Sequence, residues 1–553
     1  MSTTPLYASQ LWPPARPRTA DPTAPTPELL EALGYVGRTD ATGVHTLLPL
    51  GQRVHDRLTR IAQHAFETVC GAHTVHFPTL QSRRLWESSG RWTTYQTEGA
   101  LLTTRSRSGE EMCLAPTSEE IAVATLHNGL RSYRDLPVRL FLSTPKFRDE
   151  LSPRGGLMRS REFTMADAYT FDTSPQAMGV SIGLLNNACR TALVTMGLTG
   201  VFTAPADGGS ITAGPSTEHL HLTPTGQSTL LVCDHCGHRG DGPVLTAHPQ
   251  PVPDPVVNTI AFTLTRPDGT TTPAAVAIRS DLTVSPRKLA TATGAARVTL
   301  CDPDTLPDLF GKQPGTLTPF DCTHIPLYAD TSTAHLTAFS VWDPDTELRT
   351  VSWHNNPHLP DLTPVPADLH TATATMRCAR CATGRFRETR AVEVAHVFEL
   401  ATQYTAPMNL TYTTPTGRPA HPYMACSGIG ITRCLQTLAE LHRDEHGLRW
   451  KPGTGPADLH LTVLRPDRPG VREAADRAVH DLTARGARVL VDDRPDAGPG
   501  EKFRYARALG VPHALLVSPQ HTDGATEYTD RWTGRTTTLP LGHIPDTWST
   551  HRP

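Results

Sequence analysis

The sequence lacks any run of about 18 apolar residues, and this absence excludes a membrane-spanning helix of ordinary length. The first 25 residues contain no apolar stretch like that of a secretory signal, so we expect a cytoplasmic protein. Basic and acidic residues nearly balance, 51 against 54, and the net charge is −3. A polycation that coats nucleic acid is therefore excluded, and any nucleic-acid surface must be a local patch.

Lysine is almost absent, because only five of the 51 basic residues are lysines, at positions 146, 288, 312, 451 and 502. The abundance of arginine, alanine, threonine and proline is typical of GC-rich coding. Each remaining lysine is therefore worth inspecting for a specific role. The chain has 11 cysteines, and in a cytoplasmic protein paired CxxC motifs indicate metal binding before disulfide formation.

The chain of 553 residues is long enough for two to four domains, and its patterns change along its length. Apolar spacings of three and four predict a helix over 52–70, and a second helix is expected over 117–135. VRLFLSTPKF and REFTMADAYTF flank a Gly/Pro turn and predict an antiparallel hairpin. Residues 233–381, rich in Pro, Thr and Asp, indicate an inserted α+β domain. After KPGTGPAD, strands and helices alternate as in a small parallel α/β domain.

Charged clusters flank the turn of the predicted hairpin, KFRDE at 146–150 and RSREF at 159–163. Arg148 and Arg159 each present a planar guanidinium that can bind a carboxylate or phosphate through two hydrogen bonds. Phe163 shares a strand face with Arg159 and can stack on a base, while Glu150 can accept from an exocyclic amine. The same alternation occurs on the salt-bridged face of an ordinary hairpin, so this pattern alone leaves both interpretations open.

A glycine-containing turn, SGIGITR at 427–433, precedes a helix predicted to begin near Thr432. Gly428 and Gly430 would allow the backbone to approach a ligand, and Arg433 would lie at a helix N-terminus, where anions bind. A tight strand-to-helix turn without any ligand has the same pattern.

Two CxxC pairs, Cys233 with Cys236 and Cys378 with Cys381, stand at the two ends of the inserted segment. The spacing within each pair suits tetrahedral zinc. The long stretch 237–377 between the pairs indicates a metal site that joins the two ends of the inserted segment. Four reduced thiols without a metal, or a redox sensor, are the alternatives.

Taken in order, these segments resemble the three signature motifs of class II aminoacyl-tRNA synthetases, most closely those of bacterial-type prolyl-tRNA synthetases. GVHTLLPLG at 43–51 is similar to motif 1, KFRDELSPRGGLMRSREFTMADAYTFD at 146–172 to motif 2, and SGIGITR to motif 3. LWESSGRW, PTSEE at 116–120 and DDRPDAGPGEKF resemble further blocks of this family. The resemblance covers most of the chain outside the insertion.

The resemblance implies an α/β multidomain (α+β) architecture built around a class II antiparallel-sheet catalytic domain. Residues 1–230 would form the first part of the catalytic domain, with motifs 1 and 2, and residues 391–450 the second part, with motif 3. Residues 231–390 would be an inserted α+β editing-like domain. Residues 457–553 would be a C-terminal α/β anticodon-binding domain.

The resemblance also implies how ATP is bound. Arg148 would be the catalytic residue that binds the α-phosphate and the amino-acid carboxylate. Glu150 would read the adenine amine, Phe163 would stack on adenine, and Arg159 and Arg433 would hold the γ-phosphate end. Mg²⁺ would bridge the phosphates with few protein ligands.

Further contacts follow from the same resemblance. Thr117 and Glu119 would bind the proline ammonium together with Arg148, and Glu218 lies in a block beside the amino-acid pocket. Glu399 is a candidate ATP ligand on the strand HVFELA, where a strand glutamate without such a role is equally compatible. The candidate tRNA contacts, each of which can also be an ordinary solvated charge, are Arg154, Arg494 and Lys502.

The sequence departs from the family pattern mainly outside the ATP-binding set. Thr217 and His219 replace the usual His and Phe in TAGPSTEHL, and Ser152 replaces an arginine that reaches the tRNA acceptor stem in the family. In the insertion, VVNTIAFTLT (256–265) has none of the usual lysines, and Glu347 stands near the place of a functional histidine. We therefore expect weak or absent editing of alanyl-tRNA.

The leading hypothesis is a proline–tRNA ligase, homodimeric through motif 1, that forms prolyl-adenylate from ATP and proline and then prolyl-tRNA. One alternative is a synthetase-derived ligase that activates proline or another amino acid for a carrier or a specialised pathway. Another is a non-catalytic tRNA-binding regulatory paralogue. The retained phosphate ligands argue against the last, because a protein without catalysis has no need of them.

Overall fold

The protein is described here from a computed structural model, and its chain divides into two compact units. The first unit comprises Met1–Val201 and Tyr404–Pro553, and the second comprises Phe202–Gln403. The residues that the structure describes are 4–12, 21–212, 214–266, 270–295, 297–354, 357–359, 361–521 and 524–541.

The part of the first unit before residue 202 carries the predicted motifs 1 and 2. Its strands are β1 (Leu6–Tyr7), β2 (Val36–Arg38), β3 (His45–Leu47), β4 (His73–Thr74), β5 (Leu80–Ser82), β6 (Leu102–Arg105), β7 (Glu111–Leu114), β8 (Val138–Phe147) and β9 (Glu162–Asp172). Its helices are α1 (Thr26–Ala32), α2 (Pro49–Ala65), α3 (Arg83–Glu87), α4 (Arg91–Thr97), α5 (Glu119–Leu126) and α6 (Pro175–Met196). The predicted hairpin is confirmed, because β8 and β9 pair antiparallel with Lys146 opposite Phe163.

The helix predicted over 52–70 starts earlier and changes geometry before its end. α2 begins at Pro49, whose fixed φ suits a first helical turn. Phe66–Cys70 continue it as a π-helix, and Gly71, at a φ of 62°, ends it in the left-handed conformation. The apolar face is buried as the spacing predicts, and it includes Val54, Leu58, Ile61 and Ala65.

The helix predicted over 117–135 is shorter than expected. α5 ends at Leu126, whose carbonyl accepts from the backbone N–H groups of both Gly129 and Leu130. Glycine lowers helix propensity, and these turns close the helix early. Thr117 and Ser118 precede its first residue, so their side chains are placed in a loop and reach other elements.

The second unit has a mixed sheet in the order β17-β15-β16-β18-β21, and β23 pairs with both β11 and β12. Its strands are β10 (Phe202–Ala206), β11 (Ser216–Leu222), β12 (Ser228–Cys233), β13 (Arg239–Gly240), β14 (Ala247–His248), β15 (Val257–Thr265), β16 (Thr271–Arg279), β17 (Arg297–Leu300), β18 (Leu327–Asp330), β19 (Phe339–Asp343), β20 (Glu347–Val351), β21 (Val365–Ala367), β22 (Arg377–Cys378) and β23 (Phe386–Ala401). Its helices are α7 (Pro286–Thr293) and α8 (Leu306–Phe310). Phe339 and Trp353 are buried in its core, with ring centres 4.6 Å apart.

The chain then returns to the first unit and completes the antiparallel sheet that carries the motifs. This segment contains β24 (Tyr412–Thr413), β25 (Pro419–Ala420), β26 (Tyr423–Gly430) and α9 (Ile431–His442). β26 pairs antiparallel with β9 and places Gly428 opposite Asp167. The turn of motif 3 is thereby fixed beside the strands of motif 2.

The C-terminal part of the first unit confirms the predicted α/β alternation. It contains β27 (Leu459–Val463), α10 (Val471–Ala484), β28 (Val489–Asp492), α11 (Pro499–Leu509), β29 (His513–Val517), β30 (Ala525–Asp530) and β31 (Arg535–Pro540). β27 pairs parallel with β28 and β29, as expected. The N-terminal strand β1 also joins this sheet, with Leu6 opposite Leu490, a pairing that no pattern predicts. Within the part of the chain that is described, no helix has both the length and the apolar composition to cross a membrane.

Candidate active site

The predicted phosphate and base ligands lie where β8 leads into the motif 2 loop and β9 leaves it. The guanidinium carbon of Arg148 lies 5.2 Å from the centre of the Phe163 ring, within the range of a cation–π contact. Among the described residues, the Arg148 side chain has no hydrogen bond or ion pair. Its fork of donors is therefore available to an anionic ligand.

Two other predicted ATP ligands of motif 2 bind each other. Arg159 Nε lies 2.7 Å from Glu150 Oε2, and this bond holds the pKa of the Glu150 carboxyl below its usual value. The backbones of Arg154 and Arg159 form a bridge across the base of the loop. A ligand that uses both Glu150 and Arg159 must therefore open their ion pair.

The motif 3 turn is packed against β9. A Cβ atom on Gly428 would lie 2.8 Å from Met165 Sδ and 3.1 Å from Asp167 Oδ1, so a side chain there would displace the Met165 thioether and press on Asp167. Arg433 lies in the first turn of α9, and its Nε donates to the Met158 carbonyl over 3.1 Å. Glycine at 428 thus serves close packing of two strands, and Arg433 is tied to the end of the motif 2 loop.

A buried pocket surrounds Glu119 at the start of α5. Thr117 Oγ1 donates to Glu119 Oε2 over 2.5 Å, and Arg91 Nη1 donates to the same oxygen over 3.2 Å. The Cys426 thiol donates to Oε1 over 3.6 Å. All four residues are at most 8 % exposed. Thr117 and Glu119, to which the family resemblance assigns an ammonium group, thus contact each other in this pocket.

Arg91 is the cation at the centre of this pocket. Its Nη1 also donates to Glu120 Oε1 over 2.9 Å, and its Nη2 donates to the Tyr95 hydroxyl. Its guanidinium carbon lies 4.4 Å from the Tyr95 ring centre and 5.0 Å from that of Tyr404. Burial alone would lower the pKa of Arg91, but Glu120 and its other neighbours outweigh burial and hold the pKa well above its usual value. Arg91 therefore stays charged.

A second buried ion pair links the strands to the loop before α5. Lys146 Nζ lies 2.8 Å from Asp167 Oδ2 and donates to Ser118 Oγ over 2.5 Å. Burial raises the pKa of Asp167, and the ion pair with Lys146 lowers it. More weakly, the Glu119 carboxylate raises the same pKa and the Arg148 guanidinium lowers it. Glu119 and Arg148 therefore lie within electrostatic range of one carboxylate. The site offers a buried anion and an unpaired cation to a ligand that carries both charges.

Sequence reasoning missed the four residues that hold this pocket together, Arg91, Glu120, Lys146 and Asp167. Two signals were available. The scarcity of lysine makes Lys146 conspicuous, and Arg91 lies within LWESSGRW, a block that carries part of the family resemblance. Neither signal names the partner, because the partners are distant in the chain.

Glu218 and Glu399 lie in the second unit. Glu218 is on β11 opposite His396, whose Nδ1 lies 3.0 Å from Glu393 Oε1 and 3.8 Å from Glu218 Oε1. The Glu399 backbone carbonyl accepts from Thr212 Oγ1 over 2.7 Å. Their roles toward the amino acid and ATP stay predictions.

The four predicted zinc ligands converge in the second unit. The sulfurs of Cys233 and Cys381 are 3.7 Å apart, those of Cys236 and Cys378 are 3.8 Å apart, and all four lie within 4.8 Å of one another. Four thiolates about 2.3 Å from a tetrahedral zinc are separated by about 3.8 Å. A Cβ on Gly384 would lie 2.4 Å from Cys233 Sγ, so only glycine permits this backbone approach. The donor set therefore fits zinc.

Two predicted tRNA ligands of the C-terminal domain surround Asp492. Arg494 donates to both Asp492 carboxylate oxygens over 2.8 Å and stacks over the Tyr505 ring at 4.2 Å. Lys502 is buried, and its Nζ donates to the carbonyls of Val463 and Asp492 over 2.6 and 3.2 Å. A phosphate contact by Lys502 would require its ammonium to leave these carbonyls.

Comparison with known proteins gives a consistent set of similarities. Residues 95–442 match the family model of the tRNA synthetase class II core domain (G, H, P, S and T), and residues 461–550 match the anticodon binding domain. The proline–tRNA ligase of Acidithiobacillus ferrooxidans is 31% identical and aligns over 96% of both chains. That of Oleidesulfovibrio alaskensis is 32% identical over 94% of both.

Solved structures show the same fold at low identity. The prolyl-tRNA synthetase of Cryptosporidium parvum, complexed with L-proline and AMP, is 12% identical with a TM-score of 0.57, over 96% of this chain and 77% of that one. The Giardia lamblia enzyme in complex with prolyl-adenylate is 14% identical with a TM-score of 0.55, over 93% and 74%. The fold expected from the motifs is therefore confirmed.

Proposed function

The chain belongs to the proline–tRNA ligase family of class II aminoacyl-tRNA synthetases and is an aminoacyl-tRNA ligase, and we propose that it activates proline with ATP and transfers the prolyl group to tRNA. The observation that carries this proposal is the buried Thr117–Glu119 pair, which shares the electrostatic environment of Asp167 with the unpaired Arg148. A zwitterionic amino acid needs an anion for its ammonium and a cation for its carboxylate. The comparisons do not favour a carrier ligase or a non-catalytic paralogue.

The first reaction joins two anions. A carboxylate oxygen of proline attacks the α-phosphorus of ATP, and the bond to the pyrophosphate leaving group breaks. Arg148 would bind both the proline carboxylate and the α-phosphate and offset their repulsion, so positioning and charge stabilisation are its main contribution. Of the two substrates, only proline would contact Thr117 and Glu119, through its ammonium.

ATP would be held by the remaining residues of motifs 2 and 3. Phe163 would stack on adenine, and Glu150 would accept from the adenine amine. Arg159 and Arg433 would bind the γ-phosphate end, so ATP replaces the Glu150–Arg159 ion pair with its own contacts. Magnesium bound with ATP would supply charge neutralisation of the phosphates, with few protein ligands. Glu399 is a further proposed ATP-binding residue.

In the second reaction, a hydroxyl of the 3′-terminal ribose of tRNA attacks the prolyl carbonyl, and AMP leaves. Arg154 and Arg494 are the proposed contacts to tRNA phosphates, with Lys502 as a third once it leaves its carbonyl partners. We propose that the protein acts in the cytoplasm. We also propose that it forms a homodimer through the motif 1 segment at 43–51.

The inserted segment would have a structural zinc and little editing activity. Cys233, Cys236, Cys378 and Cys381 would hold the zinc, which would supply a cross-link between the two ends of the inserted segment. Weak deacylation of alanyl-tRNA is expected because β15 has no lysine and Glu347 stands near the place of a functional histidine. A clear rate of alanyl-tRNA deacylation by the wild-type protein would contradict this.

The test is amino-acid-dependent ATP–pyrophosphate exchange without tRNA, with proline, alanine, cysteine and proline analogues. We expect exchange with proline, and a loss of about 100-fold or more in Arg148→Ala because a ligand of the transferring phosphate is removed. Arg134→Ala is the matched control, because Arg134 also stacks on a ring, that of Tyr133 at 5.7 Å, but is exposed. It should retain full exchange.

The other outcomes separate the alternatives. Exchange only with another amino acid would support a specialised ligase and point to the altered 212–220 block. Exchange with no amino acid would support the non-catalytic paralogue. Near-normal exchange in Arg148→Ala would show that the role given to Arg148 is wrong.

A further inference from the structure

We propose that Arg91 is a positioning residue that aims one oxygen of Glu119 at the substrate ammonium and thereby sets the affinity for proline. This inference rests on the proposed function, because it concerns the amino-acid pocket of the same reaction. Arg91 does not need to touch proline. It acts through the geometry and the charge of Glu119.

The two oxygens of Glu119 have different partners. Oε2 accepts from both Thr117 Oγ1 and Arg91 Nη1, so its lone pairs are used by the protein. Among the described residues, Oε1 has only the Cys426 thiol, a weak donor, at 3.6 Å. Arg91 thus fixes the carboxylate by one oxygen and leaves the other as the better acceptor for an ammonium.

Arg91 has two carboxylate partners for its single positive charge. Arg91 bonds to Glu119 and to Glu120, so one guanidinium faces two carboxylates. Glu120 is fully buried, and its Oε1 accepts from Arg91 and from Ser89 Oγ, at 2.9 and 2.8 Å. Arg91 therefore contacts both carboxylates, and Glu119 is the one that also faces Thr117 and keeps an oxygen for a ligand. A monocationic ammonium completes the balance in a site from which water is excluded.

Arg91 itself is held rigidly. Its guanidinium lies against the rings of Trp86, Tyr95 and Tyr404, at 5.3, 4.4 and 5.0 Å. These contacts fix the plane of the fork, and the fork fixes Glu119. A lysine at the same place would keep the charge but lose the planar fork and its stacking.

The experiment compares Arg91→Lys, Arg91→Met and Glu120→Gln with the wild-type full chain in proline-dependent ATP–pyrophosphate exchange. We expect the KM for proline to rise about 10- to 100-fold in Arg91→Met, because a charged hydrogen bond that orders the ligand's partner is lost. The rise should be smaller in Arg91→Lys. Glu120→Gln should also raise this KM, because Arg91 then neutralises Glu119 more fully. The KM for ATP should change less than about threefold.

An inhibitor without the ammonium separates positioning from general damage. Tetrahydrofuran-2-carboxylate has the ring and carboxylate of proline but an ether oxygen in place of the nitrogen. Its inhibition constant should stay within about twofold of the wild-type value in Arg91→Lys, while the KM for proline rises. A parallel rise of both constants, or a fall in kcat with an unchanged KM for proline, would overturn the inference.

The matched control is Arg279→Lys in the second unit. Arg279 is as buried as Arg91, at 5 % exposure, and it likewise donates to a carboxylate, that of Asp281, and in addition to the Gln250 carbonyl. Its replacement should lower stability without changing the KM for proline. Failure of the proposed function would already appear in the wild-type protein as exchange with no amino acid, which refutes both proposals. Failure of the inference alone would appear only in the ratio of the KM for proline of the variant to that of the wild-type protein.

Discussion

Replacement of Lys146 by methionine tests how the buried ion pair supports the candidate site. Lys146 and Asp167 are 1 % and 3 % exposed, and their charges lie 2.8 Å apart. Methionine keeps the length and most of the volume of the side chain but removes the charge. Within the described part of the chain, the Asp167 carboxylate then keeps only the Tyr169 hydroxyl, at 3.5 Å, as a side-chain hydrogen-bond donor. We expect a large loss of stability in the first unit.

The size of the stability loss depends on whether Asp167 stays ionised or takes up a proton. An unpaired buried carboxylate costs about 3–5 kcal/mol after one partner is removed. Taking up a proton instead costs about 4 kcal/mol at pH 7 and about 1.5 kcal/mol at pH 5, from an ordinary pKa of about 3.9 and 1.36 kcal/mol per pH unit. Because burial already raises the pKa of Asp167, protonation is the cheaper route in acid. The penalty should therefore shrink as the pH falls from 7 to 5.

The assay is urea unfolding followed by tryptophan fluorescence at pH 7 and pH 5, with Asp167→Asn and the double variant as controls. Asp167→Asn removes the charge that Lys146→Met leaves unpaired, so the double variant should be more stable than the sum of the single losses predicts. A penalty below about 1 kcal/mol at pH 7, or one that does not depend on pH, would refute this reasoning.

Three further predictions concern other parts of the chain. Burial alone would raise the pKa of Asp330, but hydrogen bonds from His370 lower it to about 2. About 2 kcal/mol of stability, present above pH 4, should therefore be lost as the pH falls from about 4 to 2. Asp330→Asn should abolish this pH dependence in hydrogen-exchange measurements. Cys236→Ser should reduce zinc from about one per chain to near zero by mass spectrometry of metals. Glu150→Gln should raise the KM for ATP about 3- to 10-fold and leave that for proline unchanged, because an ionised acceptor is lost.

Each of these predictions has a clear contrary result. A stability of the second unit that is constant between about pH 4 and pH 2 would contradict the Asp330 prediction. A wild-type protein without zinc after purification in zinc-containing medium would contradict the metal assignment. An equal rise of the KM values for ATP and proline in Glu150→Gln would show that Glu150 supports the loop rather than the adenine. Ser152→Ala, in the same loop, is the control for that variant.

The hairpin β8–β9, the α/β alternation of the C-terminal domain and the CxxC pairs were all predictable from the sequence. Each depends on residues that are close together in the chain, through side-chain periodicity, turn residues or chelating spacing. The same holds for Arg148 and Phe163 at the open end of this hairpin, where the Arg148 guanidinium carbon lies 5.2 Å from the centre of the Phe163 ring. The family resemblance added the order and the roles of the motifs.

The helix predicted over 117–135 shows where local reasoning stops. Its composition suits a helix, yet α5 spans only Glu119–Leu126. Ser118 lies just before this helix, where its backbone N–H donates to the Tyr169 hydroxyl and its side chain accepts from Lys146. Tertiary hydrogen bonds thus keep Ser118 outside the helix where the site forms, while the turn at Gly129 closes the other end.

The sequence by itself determined the elements, their order and the residue types that can bind ATP, an amino acid and a metal. Only the tertiary structure decided which charges meet: Arg91 with Glu119 and Glu120, Lys146 with Asp167, and Glu150 with Arg159. The physical reason is burial, because a charge removed from water must find a partner, and packing of distant segments decides which partner is within reach. The pairing of β1 with β28, from the far end of the chain, was likewise decided only by tertiary structure, through backbone hydrogen bonds.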